Sequence, residues 1–563
     1  MLLILLSWLY IFITTLNFGI LFKNLFRIQN CHVVIHHILG LFLYTIITSI
    51  AAFFIRINME FYLAILVLNS VIFFTNRNAF NSQISAFIKS VRALRPLLKI
   101  LFFAIFMITL AQSATKPYIL DNESYYIQTI KWINEYGYVK GLANLHMFLA
   151  QNSAWHTLQA GFNFSFITDF LNDLNGFLFV LISLLAIDKL HNYKSTLDLQ
   201  GLCLGLILLF APFFMQFINA PSPDLLVFIL TPYIFYVFIA RFDKIDTDSF
   251  KVFLSLVVFL SFVKVTIAIT SLLVLILFIK NFQSLKHHIA DYALLGGVVL
   301  VIFITKNAII SGYALFPIEA VDLFNFDWKQ PKALMSLSTY GTSVAANSDP
   351  DVSPFLNSIR RFLFWLNSPK LHGVFNKVYI LLLLIYPWFI YKIKSKGALL
   401  IIYFLALLQF IILWNSSPQY RFFFVFIIFL SIQIFVSLFK YKNWIVFFVL
   451  ISVFLSAIPL FIEINLKAFT NNSLALTLTE FNSKNLLIPE KNSKNNTEYS
   501  KENIDGFEFY SPINNPFFWG TGNGNLPCVN KNQINYIREY YKYTPQLRTN
   551  RLKDGFKSLK IED

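Results

Sequence analysis

Long runs of apolar residues separated by short polar stretches dominate the chain as far as residue 463. Most of these runs are about 17–25 residues long, which as helices cross the roughly 30 Å hydrocarbon core of a membrane. The pattern predicts an all-α integral membrane protein with about 12–14 hydrophobic helices. The predicted spans are 2–22, 33–55, 60–76, 97–115, 174–190, 200–218, 224–240, 251–280, 289–311, 374–391, 397–415, 421–439 and 443–463.

The apolar run 251–280 is too long for one upright span, because its 30 residues would form a helix of about 45 Å. Basic loops flank it on both sides, and the direction of the later spans requires both of its ends to face the same side of the membrane. A hairpin of two short helices that turns near 261–266 satisfies both conditions and puts Lys264 at the turn. A single tilted helix is the alternative.

The chain after residue 464 changes to a composition rich in Asn, Lys, Ser and Glu and later regains Phe, Trp, Gly and Pro. We predict three regions: a polytopic membrane domain at 1–463, a polar linker at 464–505 and a small globular appendage at 506–563. Three widely spaced cysteines show neither a metal-binding spacing nor a disulfide framework.

The distribution of basic residues predicts the orientation in the membrane. Apolar residues make up 57% of the chain and charged residues 13%, which is a composition typical of a membrane protein. Lys and Arg in such proteins concentrate in cytoplasmic loops, so the net charge of +16 does not indicate a nucleic-acid partner. The short turns that we predict to be outside contain only Arg56 and Arg421. We therefore expect a multi-pass membrane protein. The long loops 116–173 and 312–373 and the C-terminus are expected to be extracytoplasmic.

The first long outer loop contains the leading candidates for chemistry, Asp121 and Glu123. They directly follow a predicted span and so lie at the membrane–water boundary, where a lipid headgroup emerges. A carboxylate there could act as the general base for a sugar hydroxyl, which is a poor nucleophile by itself. The competing interpretation is that Asp121 caps the following helix, which carries Tyr125 and Trp132 and has the pattern of an interfacial helix.

Further polar residues are predicted on the same side of the membrane. Lys264 and Arg421 are candidates to bind an anionic phosphate, although either could extend toward lipid headgroups instead. Asp224 is a second carboxylate or a helix cap, and His146 is a candidate substrate-binding residue or a structural histidine. A base, a second carboxylate and two cations form the set that a reaction with a phosphate leaving group requires.

The chain resembles the GT-C superfamily of polytopic glycosyltransferases, and most closely an uncharacterised group of GT-C-like bacterial multi-span proteins. The segments that carry the resemblance are DNESYYIQTIKWINEYGYVKGLANLH, QNSAWHTLQAGFNFSF, KNAIISGYALFP, FDWKQP, WNSSPQYRF and WGTGNGNLPC. The resemblance implies that Asp121 is the catalytic base, with Glu123 as the second acidic residue. The chain lacks two acidic residues in direct succession, so either could be the base.

The sequence and the resemblance lead us to expect an inverting glycosyltransferase of the bacterial cytoplasmic (inner) membrane that uses a polyprenyl-phosphate-type sugar donor. The acceptor would be an extracytoplasmic glycan or a lipid, and membrane lipids are the other expected partners. Tyr125, Trp132 and Trp155 would stack on sugar or lipid. No cofactor is required and no metal site is predicted, although a divalent cation is compatible with the chemistry. The alternatives are a surface polysaccharide polymerase or ligase and a transporter without catalysis.

Overall fold

The computed structural model describes residues 1–196, 198–338, 358–391, 396–439, 442–465, 468–469, 481–494, 497–515 and 517–561. Within these ranges, ten helices are long and apolar enough to cross a membrane, which is the architecture of an all-α, multi-pass membrane protein. These helices are Leu2–Phe26, Val33–Phe54, Pro96–Ser113, Leu174–Tyr193, Leu199–Phe217, Pro223–Ala240, Phe282–Ser311, Lys370–Tyr391, Lys396–Trp414 and Tyr420–Leu438.

Two of these spans, Leu199–Phe217 and Phe282–Ser311, contain short breaks, so we number the regular α-helical pieces along the chain. They are α1 Leu2–Phe26, α2 Val33–Phe54, α3 Met59–Thr75, α4 Arg77–Ala93, α5 Pro96–Ser113, α6 Ile127–Tyr136, α7 Leu142–Leu145, α8 Ala154–Ala160, α9 Leu174–Thr196, α10 Leu199–Gly205, α11 Ala211–Phe214, α12 Pro223–Ala240, α13 Thr247–Val263, α14 Ser271–Lys280, α15 Phe282–Leu285, α16 Ile289–Ser311, α17 Ser358–Leu366, α18 Lys370–Tyr391, α19 Lys396–Trp414, α20 Tyr420–Leu438, α21 Lys442–Ala457 and α22 Lys531–Tyr541.

Close backbone approach explains why α1 and α2 pack along their length. A side chain on Gly40 would place its Cβ 1.9 Å from the carbonyl oxygen of Thr15, and one on Gly19 would meet the backbone of His36 at 2.5 Å. Small residues at helix contacts allow this approach inside membranes, where packing contributes much of the association energy. The two glycines therefore allow α1 and α2 to pack closely, and the first long loop lies against these helices.

The predicted hairpin at 251–280 is confirmed. The helix α13 ends at Val263, and the extended backbone of Lys264 (φ −148°, ψ 111°) directly after it breaks the helical path. The far end of α14 then returns to the beginning of α13, because the ammonium of Lys280 lies 2.9 Å from Asp243 and Asn281 accepts a hydrogen bond from the backbone N–H of Ile245 at 3.4 Å. Lys264 is thus at the turn, as the length of the run predicted.

The first long loop covers one end of the helical bundle, which we call the loop end. Ser153 donates a hydrogen bond to the carbonyl of Val263 at the end of α13 (2.6 Å), and Gly141 donates one to Ile309 near the end of α16 (2.8 Å). The helices α9, α12 and α20 begin at this same end. Polar residues at many different helix ends are therefore brought to one surface.

The C-terminal segment, by which we mean the described residues 481–494, 497–515 and 517–561, adds a small α/β unit at the loop end. Strands β1 (Tyr499–Ile504) and β2 (Phe507–Pro512) form one antiparallel hairpin, and β3 (Tyr543–Leu547) and β4 (Phe556–Lys560) form another. The Asp505–Gly506 turn has positive φ at both residues (52° and 81°), the conformation that tight hairpins require. Strand β1 begins inside the range 464–505 predicted as a linker.

Candidate active site

Asp121 lies in the chain segment that connects α5 to α6. It directly precedes a π-helical turn, Asn122–Tyr126, which leads into α6. The hydroxyl of Tyr126 points back and donates to Oδ2 of Asp121 at 3.5 Å. Burial raises the pKa of Tyr126, so this hydroxyl keeps its proton and acts as a donor. The turn therefore holds the carboxylate of Asp121 at the loop end.

Four charged residues that are far apart in sequence meet at this point. Nη1 of Arg421 lies 2.5 Å from Oδ2 of Asp121 and 4.0 Å from Oδ2 of Asp224, and Asp224 also forms an ion pair with Lys264. The structure thus brings together Asp121, Asp224, Lys264 and Arg421, which the sequence predicted to share one side of the bundle. We call these four residues the ionic cluster.

Helix ends position three members of the ionic cluster. Ser222 caps α12 by accepting a hydrogen bond from the N–H of Asp224 (3.3 Å), so Asp224 occupies the first helical turn, where a negative charge is favourable. Arg421 is the second residue of α20, and Lys264 follows the last residue of α13. The ring of Phe422 lies beneath both cations, 4.7 Å from the Lys264 ammonium and 5.1 Å from the Arg421 guanidinium.

The ionic cluster has a buried half and an accessible half. The side chains of Asp224 and Lys264 are 3% and 14% exposed, whereas those of Asp121 and Arg421 are 24% and 32% exposed. The Nε of Arg421 is itself buried and has no hydrogen-bond partner among the described residues. A ligand arriving at the loop end would therefore meet the exposed parts of Asp121 and Arg421 first.

Glu123 is only two residues from Asp121 but faces a different part of the molecule. Its carboxylate is buried and accepts hydrogen bonds from the hydroxyl of Ser493 (2.7 Å) and the backbone N–H of Lys494 (2.8 Å). Burial raises its pKa, and the bonds to these two residues oppose that rise. Glu123 thus binds the C-terminal segment, and none of its side-chain hydrogen bonds among the described residues reaches the ionic cluster.

His146 and Tyr125 also lie outside the ionic cluster. His146 is buried against the C-terminal segment, where its Nε2 is 3.3 Å from the carbonyl of Trp519 and its Nδ1 accepts a hydrogen bond from the N–H of Phe148. Burial lowers the pKa of His146 to about 4, so the ring is neutral and its Nε2–H donates. Tyr125 is half-buried and packs edge-on against Tyr126 at 4.7 Å.

Trp132 and Trp155 do not fit the stacking role that was predicted for them. Both side chains are fully buried within the protein. Trp155 donates through Nε1 to Asn175 at 2.9 Å, deep between the helices, and Trp132 packs edge-on against Phe556 at 5.6 Å. The aromatic pattern of the loop thus reflects packing against the bundle and the C-terminal segment, which leaves neither indole face open to a sugar or lipid.

The family model described as "Domain of unknown function (DUF8201)" matches residues 1–428. The chain belongs to the DUF8201 family. The match contains the whole ionic cluster and ends within α20, so the C-terminal segment lies beyond it. No curated protein and no solved structure matches the chain.

Two buried basic residues of this DUF8201 chain lie beside the loop that carries Asp121. The ring of His156 is 4.6 Å from that of Tyr126, and neither of its nitrogens has a hydrogen-bond partner among the described residues. Lys306, buried near the end of α16, donates to the carbonyl of Asn152 at 2.5 Å. Sequence reasoning missed Lys306, for which the available signal was a lone lysine close to the end of an apolar run.

The side chains of the ionic cluster do not fit a resident divalent cation. Its two carboxylates, Asp121 and Asp224, are each already paired with a basic side chain. Across the described part of the chain, no group of three or more His, Cys, Asp or Glu residues is placed to hold a metal ion.

Asp173 provides a test of the electrostatics at the loop end. It directly precedes α9 and is fully buried. Burial raises its pKa from 3.8 to about 7, and a hydrogen bond with Ser7 opposes only part of that rise. The unfolded chain therefore releases this proton at lower pH than the folded protein, and stability falls as the pH rises from about 4 to about 7.

We expect Asp173→Asn to increase the free energy of unfolding at pH 8 by on the order of 2 kcal/mol, because it removes the cost of a buried charge. The gain should vanish near pH 4. Thermal unfolding of the purified protein in detergent between these pH values measures both effects. The exposed Asp169 in the same loop supplies the control Asp169→Asn, which should leave the midpoint unchanged. An equal midpoint for Asp173→Asn and wild type at pH 8 would contradict the account.

Proposed function

We propose that this protein is a glycosyltransferase that moves a sugar from a polyprenyl-phosphate-type lipid carrier to a glycan or lipid acceptor on the extracytoplasmic face of the bacterial cytoplasmic membrane. The observation that supports this proposal is the ionic cluster, which combines an accessible carboxylate with two cations at the ends of apolar helices. A lipid-borne phosphate would reach this depth without leaving the membrane, because the helix ends mark the level of the headgroups.

In the proposed reaction Asp121 acts as the general base. It takes the proton of the acceptor hydroxyl as the acceptor oxygen forms a bond to the anomeric carbon of the sugar. The bond between that carbon and the phosphate oxygen breaks, and the electron pair leaves with the polyprenyl phosphate. The acceptor attacks from the face opposite to the phosphate, so the configuration at the anomeric carbon is inverted.

Arg421 and Lys264 would neutralise the leaving phosphate. The side chain of Arg421 is 32% exposed, so an exposed N–H of its guanidinium can donate to a phosphate oxygen while Nη1 keeps its contact with Asp121. The ammonium of Lys264 is held by the buried Asp224, which fixes its position before the ligand arrives. Preorganised cations of this kind stabilise a developing charge without a cost of reorganisation during the reaction.

The experiment that tests this function compares three donors with the purified protein in liposomes that contain a membrane extract as acceptor: a polyprenyl-phosphate sugar, a polyprenyl-diphosphate oligosaccharide and a nucleotide sugar. We expect the polyprenyl-phosphate sugar to yield a glycosylated product and free polyprenyl phosphate in equal amounts. If the polyprenyl-diphosphate oligosaccharide is the only donor that gives a product, the result would favour a surface polysaccharide polymerase or ligase instead. Uptake of a donor with no new glycosidic bond would favour the transporter, and either result would overturn the proposal.

A further inference from the structure

Residues 114–128, which we call the Asp121 segment, are hydrogen-bonded to the C-terminal segment near both ends. The carbonyl of Ala114, where α5 ends, accepts a hydrogen bond from the N–H of Glu490 at 2.9 Å. Beyond Asp121, the side chain of Asn122 donates to the carbonyl of Asn492 at 2.9 Å. The stretch 485–494 therefore follows the Asp121 segment and holds it on both sides of the catalytic candidate.

Glu123 is the centre of this contact. Its carboxylate accepts the bonds from Ser493 and Lys494, and its backbone carbonyl accepts N–H bonds from both Thr521 and Gly522 at 2.8 Å. Two separate stretches of the C-terminal segment thus meet at one residue of the π-helical turn. A buried carboxylate is costly unless its hydrogen bonds are complete, so losing these partners would open the contact.

The glycine-rich string at 520–524 supplies the second stretch. Gly522 adopts a positive φ of 56°, and a Cβ at this position would lie 2.7 Å from the hydroxyl of Tyr499. This conformation lets its N–H donate to Glu123 while its carbonyl and that of Gly524 accept from Gln128 (3.1 and 3.0 Å). The π-helical turn and the first turn of α6 are therefore held as one unit.

We infer that the C-terminal stretches 485–494 and 517–528 complete the proposed active site as a clamp on the Asp121 segment, with Glu123 as the positioning residue that anchors them. The inference rests on the proposed function for its catalytic part. The clamp lies outside the family match, so the region that aligns Asp121 is separate from the region that carries the ionic cluster. Glu123 acts through hydrogen bonds and takes no proton from the acceptor.

The test compares two substitutions at Glu123. Glu123→Gln keeps an oxygen that can accept from Lys494, and the hydroxyl of Ser493 can rotate to accept from the new amide. We expect this variant to retain kcat within about threefold of wild type. Glu123→Ala removes every side-chain bond, and we expect kcat to fall by about 100-fold or more at an unchanged KM for the donor, since misplacement of a catalytic group affects the chemical step.

Hydrogen–deuterium exchange of residues 117–128 supplies a readout that does not depend on activity. Exchange should increase in Glu123→Ala and stay at the wild-type level in Glu123→Gln. The matched control is Glu508→Ala, which removes an exposed carboxylate paired with Lys501 in the same C-terminal segment and should change neither measurement. If Glu123→Ala does not fold, Thr521→Val replaces it, because it removes only the hydroxyl that donates to the carbonyl of Ser124 at 2.7 Å and to that of Glu123 at 3.2 Å.

Two results would overturn the inference. If Glu123→Gln is as inactive as Asp121→Asn, Glu123 is a general base and not a positioning residue. If residues 117–128 exchange at the wild-type rate in both Glu123→Ala and Thr521→Val, no clamp exists. If wild type transfers no sugar from any donor, the proposed function fails by itself. The exchange measurement still decides in that case whether the C-terminal segment holds the Asp121 segment.

Discussion

Asp121→Asn should lower kcat for sugar transfer by about 10²–10⁴-fold, because the amide keeps the shape of the side chain but cannot accept a proton. The amide oxygen can still accept from Tyr126 and Arg421, so we expect the KM for the donor to remain near the wild-type value. Initial rates at saturating donor and acceptor measure this effect. The expected decrease in kcat is the one that loss of a general base causes, because Arg421 and Lys264 still neutralise the leaving phosphate.

The control for Asp121→Asn is Glu60→Gln. Glu60 is an exposed carboxylate that pairs with Arg56 at 2.7 Å near the beginning of α3, at the same end of the bundle. Removing its charge changes the surface by the same amount without touching the ionic cluster, so kcat should be unchanged. Equal rates for Asp121→Asn and wild type would exclude Asp121 as the base.

Lys264→Met should destabilise the protein by about 3–5 kcal/mol, because it leaves the charge of Asp224 buried with its main partner removed. Only 3% of the Asp224 side chain is exposed, so water cannot replace the ammonium, and Arg421 is 4.0 Å away. Adding Asp224→Asn should recover most of the lost stability, since the double variant has no unpaired buried charge. Sugar transfer should remain impaired in both variants.

Thermal or denaturant unfolding in detergent measures these differences. Lys280→Met is the matched control, because its partner Asp243 is 94% exposed and can be hydrated when the lysine is lost. It should leave the unfolding midpoint nearly unchanged. If Lys264→Met is no less stable than Lys280→Met, the ion pair does not organise the site as we describe.

The positions of the ionic cluster were predictable because they depend on local rules. Apolar runs of span length locate the helix ends, and the distribution of basic residues sorts those ends onto two sides. The excess length of 251–280 predicts the hairpin, and the hairpin in turn puts Lys264 on the same side of the bundle as Arg421 and Asp224. The side of the membrane on which the cluster lies stays a prediction.

The roles of Glu123, His146, Trp132 and Trp155 could not be read from the sequence, because they depend on what covers the first loop. The segment that covers the loop is distant in sequence, because Ser493, which contacts Glu123, is 370 positions further along the chain. Aromatic residues at helical spacing predict an apolar face but not its partner. The loop therefore has the pattern of an interfacial helix although protein covers its tryptophans.

The proposed phosphate site is tested most directly by the affinity of the protein for polyprenyl phosphate, the product that the ionic cluster is proposed to bind. Titration of wild type, Arg421→Gln and the control Arg56→Gln in lipid nanodiscs would give three dissociation constants. We predict that Arg421→Gln binds at least about tenfold more weakly than wild type, because a charge-assisted contact to the phosphate is lost, while Arg56→Gln binds equally well. Equal affinity of wild type and Arg421→Gln would mean that Arg421 does not bind the phosphate and would contradict the proposed role of the ionic cluster.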